Sequence, residues 1–242
     1  MVKHIIILGS SYATGKRIAL DYCEDDANKA FKKLDELREA TNNEIPMAIH
    51  ILTVASKRWK DVESYDKFFE NIKVVKSEKE FIALLLNDRK LTSLDVAEYI
   101  LSEFNCSHTK LEKLTYFCYA DYLCKYNEKL FDDIIYAFKY GPVIKSVYKK
   151  YKRKYTEELN DIIPSLSKYN LPSTSRILIS ENGYRKLQSI DATIKKYRHY
   201  SAERLVKLTH KNNTPWTISN SSRPYEKITD KDIKMYHCFE ET

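Results

Sequence analysis

The sequence predicts an α+β protein that is predominantly helical, with a small α+β unit over residues 1–90 followed by a mainly α-helical unit over residues 91–242 that carries a short β element. Three observations predict this. Only four glycines occur among 242 residues, which disfavours glycine-rich cofactor folds and assigns the turns to Asn, Asp and Ser. Short β-branched runs such as "HIIIL" and "MAIHILTVA" fall within the first ninety residues. From Leu91 onward the texture changes to capping signals followed by apolar residues at helical spacing.

The opening stretch, "HIIILGSSYATGKRIALDY", superficially resembles a strand feeding a phosphate loop. Such a loop needs fixed spacing, because successive backbone N–H groups curl around the phosphates while a hydroxyl after the lysine holds the metal. Here Gly9 is one residue too far from Gly15, Ser10 occupies the correct position, and Arg17 stands where the hydroxyl belongs. The alternating Ile18, Leu20 and Tyr22 predict instead a second strand, paired with Ile5 to Leu8 through a turn at Thr14-Gly15-Lys16.

The rest of the first unit follows in order. Asp25 or Asp26 caps a helix whose Ala27, Ala30, Phe31, Leu34 and Leu37 recur on one face. "MAIHILTVA" reads as a buried strand, Val62, Tyr65 and Phe69 as a helix, and "IKVV" as a short strand. Ser77-x-x-Glu80 then opens the helix "EFIALLLND", giving the order ββαβαβα.

In the second unit, Thr92-x-x-Asp95 and Thr109-x-x-Glu112 read as capping boxes. The helix after the second, "LEKLTYFCYADYLCKY", is apolar around most of its circumference and is therefore expected at the centre. Gly141 supplies a turn and Pro142 is expected at a helix start. Residues 160–175 read as a loop, "RILIS" as a strand, and "GYRKLQSIDATIKKY" as a helix. Ser201 caps "AERLVKLTH", and Thr229-x-x-Asp232 caps "KDIKMY".

Net charge is +7 and unevenly placed. Residues 1–90 hold 16 Lys/Arg against 15 Asp/Glu, so nearly all the excess lies beyond them. It is densest in "KSVYKKYKRKY", residues 145–155, where cations interleave with tyrosines. Three readings stand for this stretch: the solvated face and end of a helix, a contact for an acidic protein, or a nucleic-acid groove formed by Lys149, Lys150, Lys152, Arg153 and Lys154. No leader or apolar run of membrane-spanning length is evident, so a cytoplasmic protein with no membrane partner is expected. The five cysteines form no CxxC pair and read as reduced structural thiols, with Cys118 and Cys124 packing as small hydrophobes. Cys106-Ser107-His108 lacks the second ligand pair that zinc requires, and no metal or cofactor is expected.

No G-x-S-x-G, H-E-x-x-H or paired-carboxylate signature appears, so no enzymatic activity is expected. His210, in "LVKLTHKNNTPW", reads as a helix-terminal histidine that meets the last carbonyls and packs on Trp216.

A family resemblance enters through spaced pieces of the second unit. These are Lys113-Leu114-Thr115-Tyr116-Phe117, Leu130-Phe131-Asp132-Asp133, Phe138, Tyr140-Gly141-Pro142-Val143, Val147-Tyr148, Leu205 to His210, Pro215-Trp216 and the closing "KITDKDIKMY". Over about residues 92–240 the chain resembles the Panacea domain of SocA-like antitoxins, which also occurs in phage-associated proteins. Phe138 stands where that family often carries Trp. The resemblance implies a non-enzymatic binding protein whose partner is a cognate toxin or, for a phage protein, a bacterial defence protein. It implies no cofactor, and it leaves residues 1–90 without an assigned role. Phe117, Phe138 and Trp216 are expected in the core, and Lys113, Asp132, Tyr140, Tyr148 and His210 on a polar surface or groove that binds the partner.

Overall fold

The structure, a computed structural model, describes residues 1–12, 15–152, 173–222 and 225–241. The chain divides into two compact units, residues 1–90 and 91–242.

The first unit contains β1 (Val2–Ser11), β2 (Lys16–Cys23), α1 (Ala27–Glu39), β3 (Ala48–Val54), α2 (Trp59–Tyr65), a 3₁₀ turn (Lys67–Phe69), β4 (Lys73–Val75) and α3 (Glu78–Asp88), the order ββαβαβα. The sheet runs β3-β1-β2-β4. β1 pairs antiparallel with both β2 and β3, and β4 lies parallel to β2. Both faces of the central pair are covered, which explains the unbroken apolar run at Ile5–Leu8. Ile7, Ile18 and Leu20 meet Leu34, Leu37, Phe81 and Leu85 on one side. Ile6, Leu8 and Ala19 meet Val62, Phe69 and Ile72 on the other.

β1 passes straight through Gly9, which faces Ile18 across the hairpin. A Cβ on Gly9 would lie 2.7 Å from Leu85 Cδ2, so this glycine admits α3 close to the sheet. Three expectations change. β3 is an edge strand with only Val54 buried, because the strand order leaves one of its sides unpaired. Phe31 and Tyr65 are exposed, since the covering layer is complete with Leu34 and Leu37 on one face and Val62 and Phe69 on the other. The sheet also buries a polar pair that periodicity does not announce. His4 Nδ1 lies 2.8 Å from Asp21 Oδ1, its Nε2 lies 2.9 Å from the Ser56 carbonyl, and Lys76 pairs with the other Asp21 oxygen.

The second unit contains α4 (Ser93–Glu103), α5 (His108–Tyr126), β5 (Ile135–Phe138), β6 (Gly141–Ile144), α6 (Lys145–Tyr151), α7 (Ser173–Leu178), α8 (Gly183–Tyr197), α9 (Ala202–Thr209), α10 (Pro215–Ser222), α11 (Asp230–Tyr236) and α12 (Cys238–Glu241). α5 is central and buried along most of its length, as its all-round apolar pattern predicts. Phe117 stacks on Tyr197 of α8 with ring centroids 4.6 Å apart. The boxes at Thr92/Asp95 and Thr229/Asp232 form in full.

The expected box at Thr109 does not form. Ser107 caps α5 through Lys110 N, which places Glu112 on the inward face instead of at the helix mouth. Pro142 lies in β6, not at a helix start, because its missing N–H falls on the side of the strand turned away from β5. "RILIS" contributes to helix α7, where Arg176 pairs with Asp95 of α4 at 3.2 Å. A five-residue apolar run does not distinguish strand from helix, and here packing decides. Cys124 is exposed while Cys118 is buried. Most of the loop expected at 160–175 lies outside the described residues.

The scarcity of glycine is resolved by asparagine. Among the described residues, seven non-glycine positions have positive φ, and six of them are Asn: 42, 43, 71, 127, 182 and 213. Asn tolerates the left-handed region because its short amide bonds locally. Asn127 closes α5 in this way.

Candidate functional site

The pieces of sequence singled out above converge on the β5–β6 hairpin. Its two-residue turn is Lys139-Tyr140, between the paired Phe138 and Gly141. A two-stranded ribbon is marginal alone, because each outer edge carries unpaired N–H and C=O groups. Both edges are covered here. Along β5, Ala137 N donates to the Glu226 carbonyl at 2.8 Å, while Tyr225 N and Ile228 N donate to the Ala137 and Ile135 carbonyls at 3.1 and 3.0 Å.

Along β6 there is no third strand among the described residues, and two side chains of α5 bond its outer edge. Lys113 Nζ donates to the Pro142 carbonyl at 2.6 Å, and Ile144 N donates to Glu112 Oε2 at 3.2 Å. Lys113 is therefore inside the molecule, not on a partner-binding surface. It is 1% exposed, and burial holds its ammonium down at about 8 against the opposing pull of Glu112 and Glu240. Beside it, His108 Nε2 and Glu112 Oε1 sit 3.5 Å apart, each otherwise without a hydrogen-bond partner.

The turn is held from a third side. Trp216 Nε1 donates to the Phe138 carbonyl at 2.7 Å, and His210 Nε2 lies 3.2 Å from the Lys139 carbonyl. His210 ends α9 with Nδ1 2.7 Å from the Val206 carbonyl and its ring 3.7 Å from that of Trp216, the arrangement its position in the last helical turn predicts. Gly141 adopts φ +104°, and a Cβ there would meet Thr209 Oγ1 at 2.7 Å and Lys113 Cε at 2.8 Å. We expect Gly141→Ala to cost the second unit about 2–4 kcal/mol, from backbone strain and from displacing Lys113. Urea unfolding followed by tryptophan fluorescence measures this, and a variant within error of wild type would show the turn to be pliable.

With its backbone held from behind, the hairpin turns an aromatic row outward. Tyr136 and Phe138 are half-buried on β5, and Phe138 meets Tyr148 at 5.8 Å and Tyr225 at 5.0 Å. Tyr140 at the turn is 46% exposed and Tyr225 61%. Lysines lie over these rings: Lys145 over Tyr136 at 3.8 Å, Lys152 over Tyr148 at 5.2 Å and Lys139 over Tyr140 at 5.3 Å. Phe138 and Trp216 are thus half-buried parts of this assembly, whereas Phe117 is fully in the core.

Tyr148 is half-buried, wedged between His108 and Phe138. Asp132 is exposed, and the neighbouring Asp133 joins elements. Asp133 accepts from Ser93 N at the start of α4 at 3.1 Å and from Ser146 Oγ of α6 at 2.7 Å. In the basic stretch, Lys149 and Lys150 are exposed on α6, and Lys150 pairs with Glu98. Lys152 follows the helix, and Arg153 and Lys154 lie outside the described residues.

A second polar cluster escaped sequence reasoning. His237 is 3% exposed, with Nδ1 2.6 Å from Glu240 Oε2 and Nε2 2.7 Å from Asp121 Oδ1. Tyr116 donates to Glu240 at 2.9 Å, and Thr193 donates to the other Asp121 oxygen at 2.5 Å. Burial pushes the imidazole down, but its hydrogen bonds to the two carboxylates outweigh this and raise it to about 9. With both nitrogens engaged and the ring held as a cation, His237 is not placed to take a proton from a nucleophile. The signal that could have found it is the H-x-x-E spacing at 237 and 240, together with Asp121 within the apolar stretch of α5.

Among the described residues, no group of three or more His, Cys, Asp or Glu side chains could hold a metal ion, and no helix is long and apolar enough to cross a membrane. No curated protein and no solved structure matches the chain. From the first turn of α5 into the start of α10, a span that includes the β5–β6 hairpin, residues 111–217 match the model of the antitoxin SocA-like family, Panacea domain.

Proposed function

We propose that this chain is a non-enzymatic inhibitor, an antitoxin that neutralises a cognate toxin by direct protein contact, with the hairpin as the principal contact. The observation that carries this reading is the outward row Tyr136, Phe138, Tyr140 and Tyr225 on a hairpin whose two edges and turn are held by other parts of the same unit. Exposed tyrosines bring large contact area at low entropic cost, and a preorganised ribbon loses little freedom on binding. Lysines along the row favour an acidic partner surface. Tyr140 is the central anchor of this contact. Lys113 and His210 act behind it by positioning the hairpin, and Tyr148 supports Phe138. Residues 1–90 supply a second contact or set specificity.

The test is co-expression with the products of neighbouring genes, followed by size-exclusion chromatography and growth rescue. A 1:1 complex with a toxic neighbour is expected. Tyr140→Ala combined with Lys145→Glu should weaken the complex by about a hundredfold, or ~3 kcal/mol, and abolish rescue while the unfolding curve stays unchanged. Rescue at the wild-type level by that double variant would remove the hairpin from the contact. Capture of a bacterial defence protein in place of a toxin would assign the same surface to a phage-encoded inhibitor.

A further inference from the structure

Three members of the His237 cluster, Asp121, Thr193 and His237 itself, line a cavity of about 390 Å³ whose walls share no residue with the hairpin contact proposed above. Its walls come from one face of α5 (Asp121, Cys124, Lys125) and one face of α8 (Ser189, Ala192, Thr193, Lys196), with His237 between them. The spacings of three and four residues on each helix aim these side chains at a common space. The volume lies in the range that accommodates a small metabolite.

The chemistry of the lining selects the charge of that metabolite. Asp121 is the only acid in the wall among the described residues, and both of its oxygens are already engaged, one by the His237 imidazole and one by the Thr193 hydroxyl. Lys125 and Lys196 stand at the cavity with two ammonium groups, and Ser189 adds a hydroxyl that is 5% exposed. Counting His237 as a cation and Glu240 behind it as an anion, the two lysines leave the group positive. A cation would face three positive groups here.

We propose that this cavity is a binding site for a small oxyanion, a carboxylate or phosphate monoester, gripped by Lys125 and Lys196 with Ser189 as the orienting hydroxyl. Because the site joins α5, α8 and the segment after α11, an occupant stabilises the second unit by mass action.

The experiment uses the full chain at constant ionic strength, adjusted with chloride, and follows the His237 imidazole by NMR while inorganic phosphate or acetate is added. A saturable shift with a millimolar dissociation constant is expected, together with a rise in melting temperature. Preference between phosphate and acetate identifies the class of oxyanion. Lys125→Gln with Lys196→Gln should weaken binding by about tenfold, the loss of two partly exposed charge contacts, and Ser189→Ala should weaken it without changing the unfolding midpoint. The proposal is overturned if neither anion produces a saturable shift, or if the lysine double variant binds as well as the wild type.

Discussion

Replacing Lys113 by alanine should destabilise the second unit by about 2–5 kcal/mol, the range for truncating a large buried side chain, here with loss of its hydrogen bond to the Pro142 carbonyl. The ammonium caps the Pro142 carbonyl and feels the charge of the buried Glu112, so its loss leaves an acceptor without a donor and removes a favourable charge interaction. Alanine also opens a cavity where the lysine stem ran. Lys113→Met separates these effects, since it keeps most of the stem and removes only the charge and the donors. That variant should still lose about 1–3 kcal/mol, the penalty for an unsatisfied buried carbonyl together with an isolated acid. Urea midpoints for the two variants give the ranking, and hydrogen exchange at the Ile144 amide shows where the loss occurs. A Met variant as stable as the wild type, with Ile144 still protected, would mean that the edge of β6 does not need Lys113. If the hairpin is the binding element, both variants should also weaken partner binding despite touching no exposed residue.

The fate of Lys113 illustrates what could be read from the sequence and what could not. Elements with a local cause were legible: the hairpin of β1 and β2 from its alternation, α8 from its apolar stripe, α4 and α11 from their capping boxes. Signals that depend on a distant partner were not. Thr109-x-x-Glu112 satisfies the pattern of a capping box, but Glu112 bonds Ile144, thirty-two residues away, and Ser107 takes the cap. Pro142 resembles a helix start until the ribbon pairing shows that its missing N–H falls on an outer edge. For the candidate site, His210 and Trp216 were legible because their contact is local. The roles of Lys113, Asp133, Asp121 and Glu240 were hidden because each bonds across 13 to 124 residues. One general clue was present: α5 carries Glu112, Lys113 and Asp121 on a helix too apolar to keep them all in water. Charges on a buried helix must find partners, so these three positions marked in advance where the polar interior would lie.

His237 should make the second unit progressively less stable as pH rises from about 6.5 to about 9. Its folded-state value, raised to about 9 from an ordinary 6.5, means that the folded chain holds the proton more tightly than the unfolded one. The stabilisation is therefore complete below 6.5 and is lost as pH climbs through 9, amounting to about 3 kcal/mol at 1.36 kcal/mol per unit. The facing groups are Asp121 and Glu240, with Tyr116 donating to Glu240, Thr193 donating to Asp121, the Phe117 ring 6.0 Å away, and Lys125 and Lys196 across the cavity. Glu240 acts in the same direction from 4.5 upward, because burial raises its carboxyl against the opposing pull of His237 and Tyr116. Lys113 acts in the opposite direction but only above about 8, where its lowered ammonium loses its proton before the unfolded chain does and stability rises with pH. Between 6.5 and 8 Lys113 stays silent, and the comparison of wild type with His237→Gln separates the imidazole from Glu240. Urea midpoints across that window should fall for the wild type, while His237→Gln should start about 3 kcal/mol lower and stay level. A wild-type midpoint that does not change between pH 6.5 and 8 would show that the imidazole is not held as a cation between the two carboxylates.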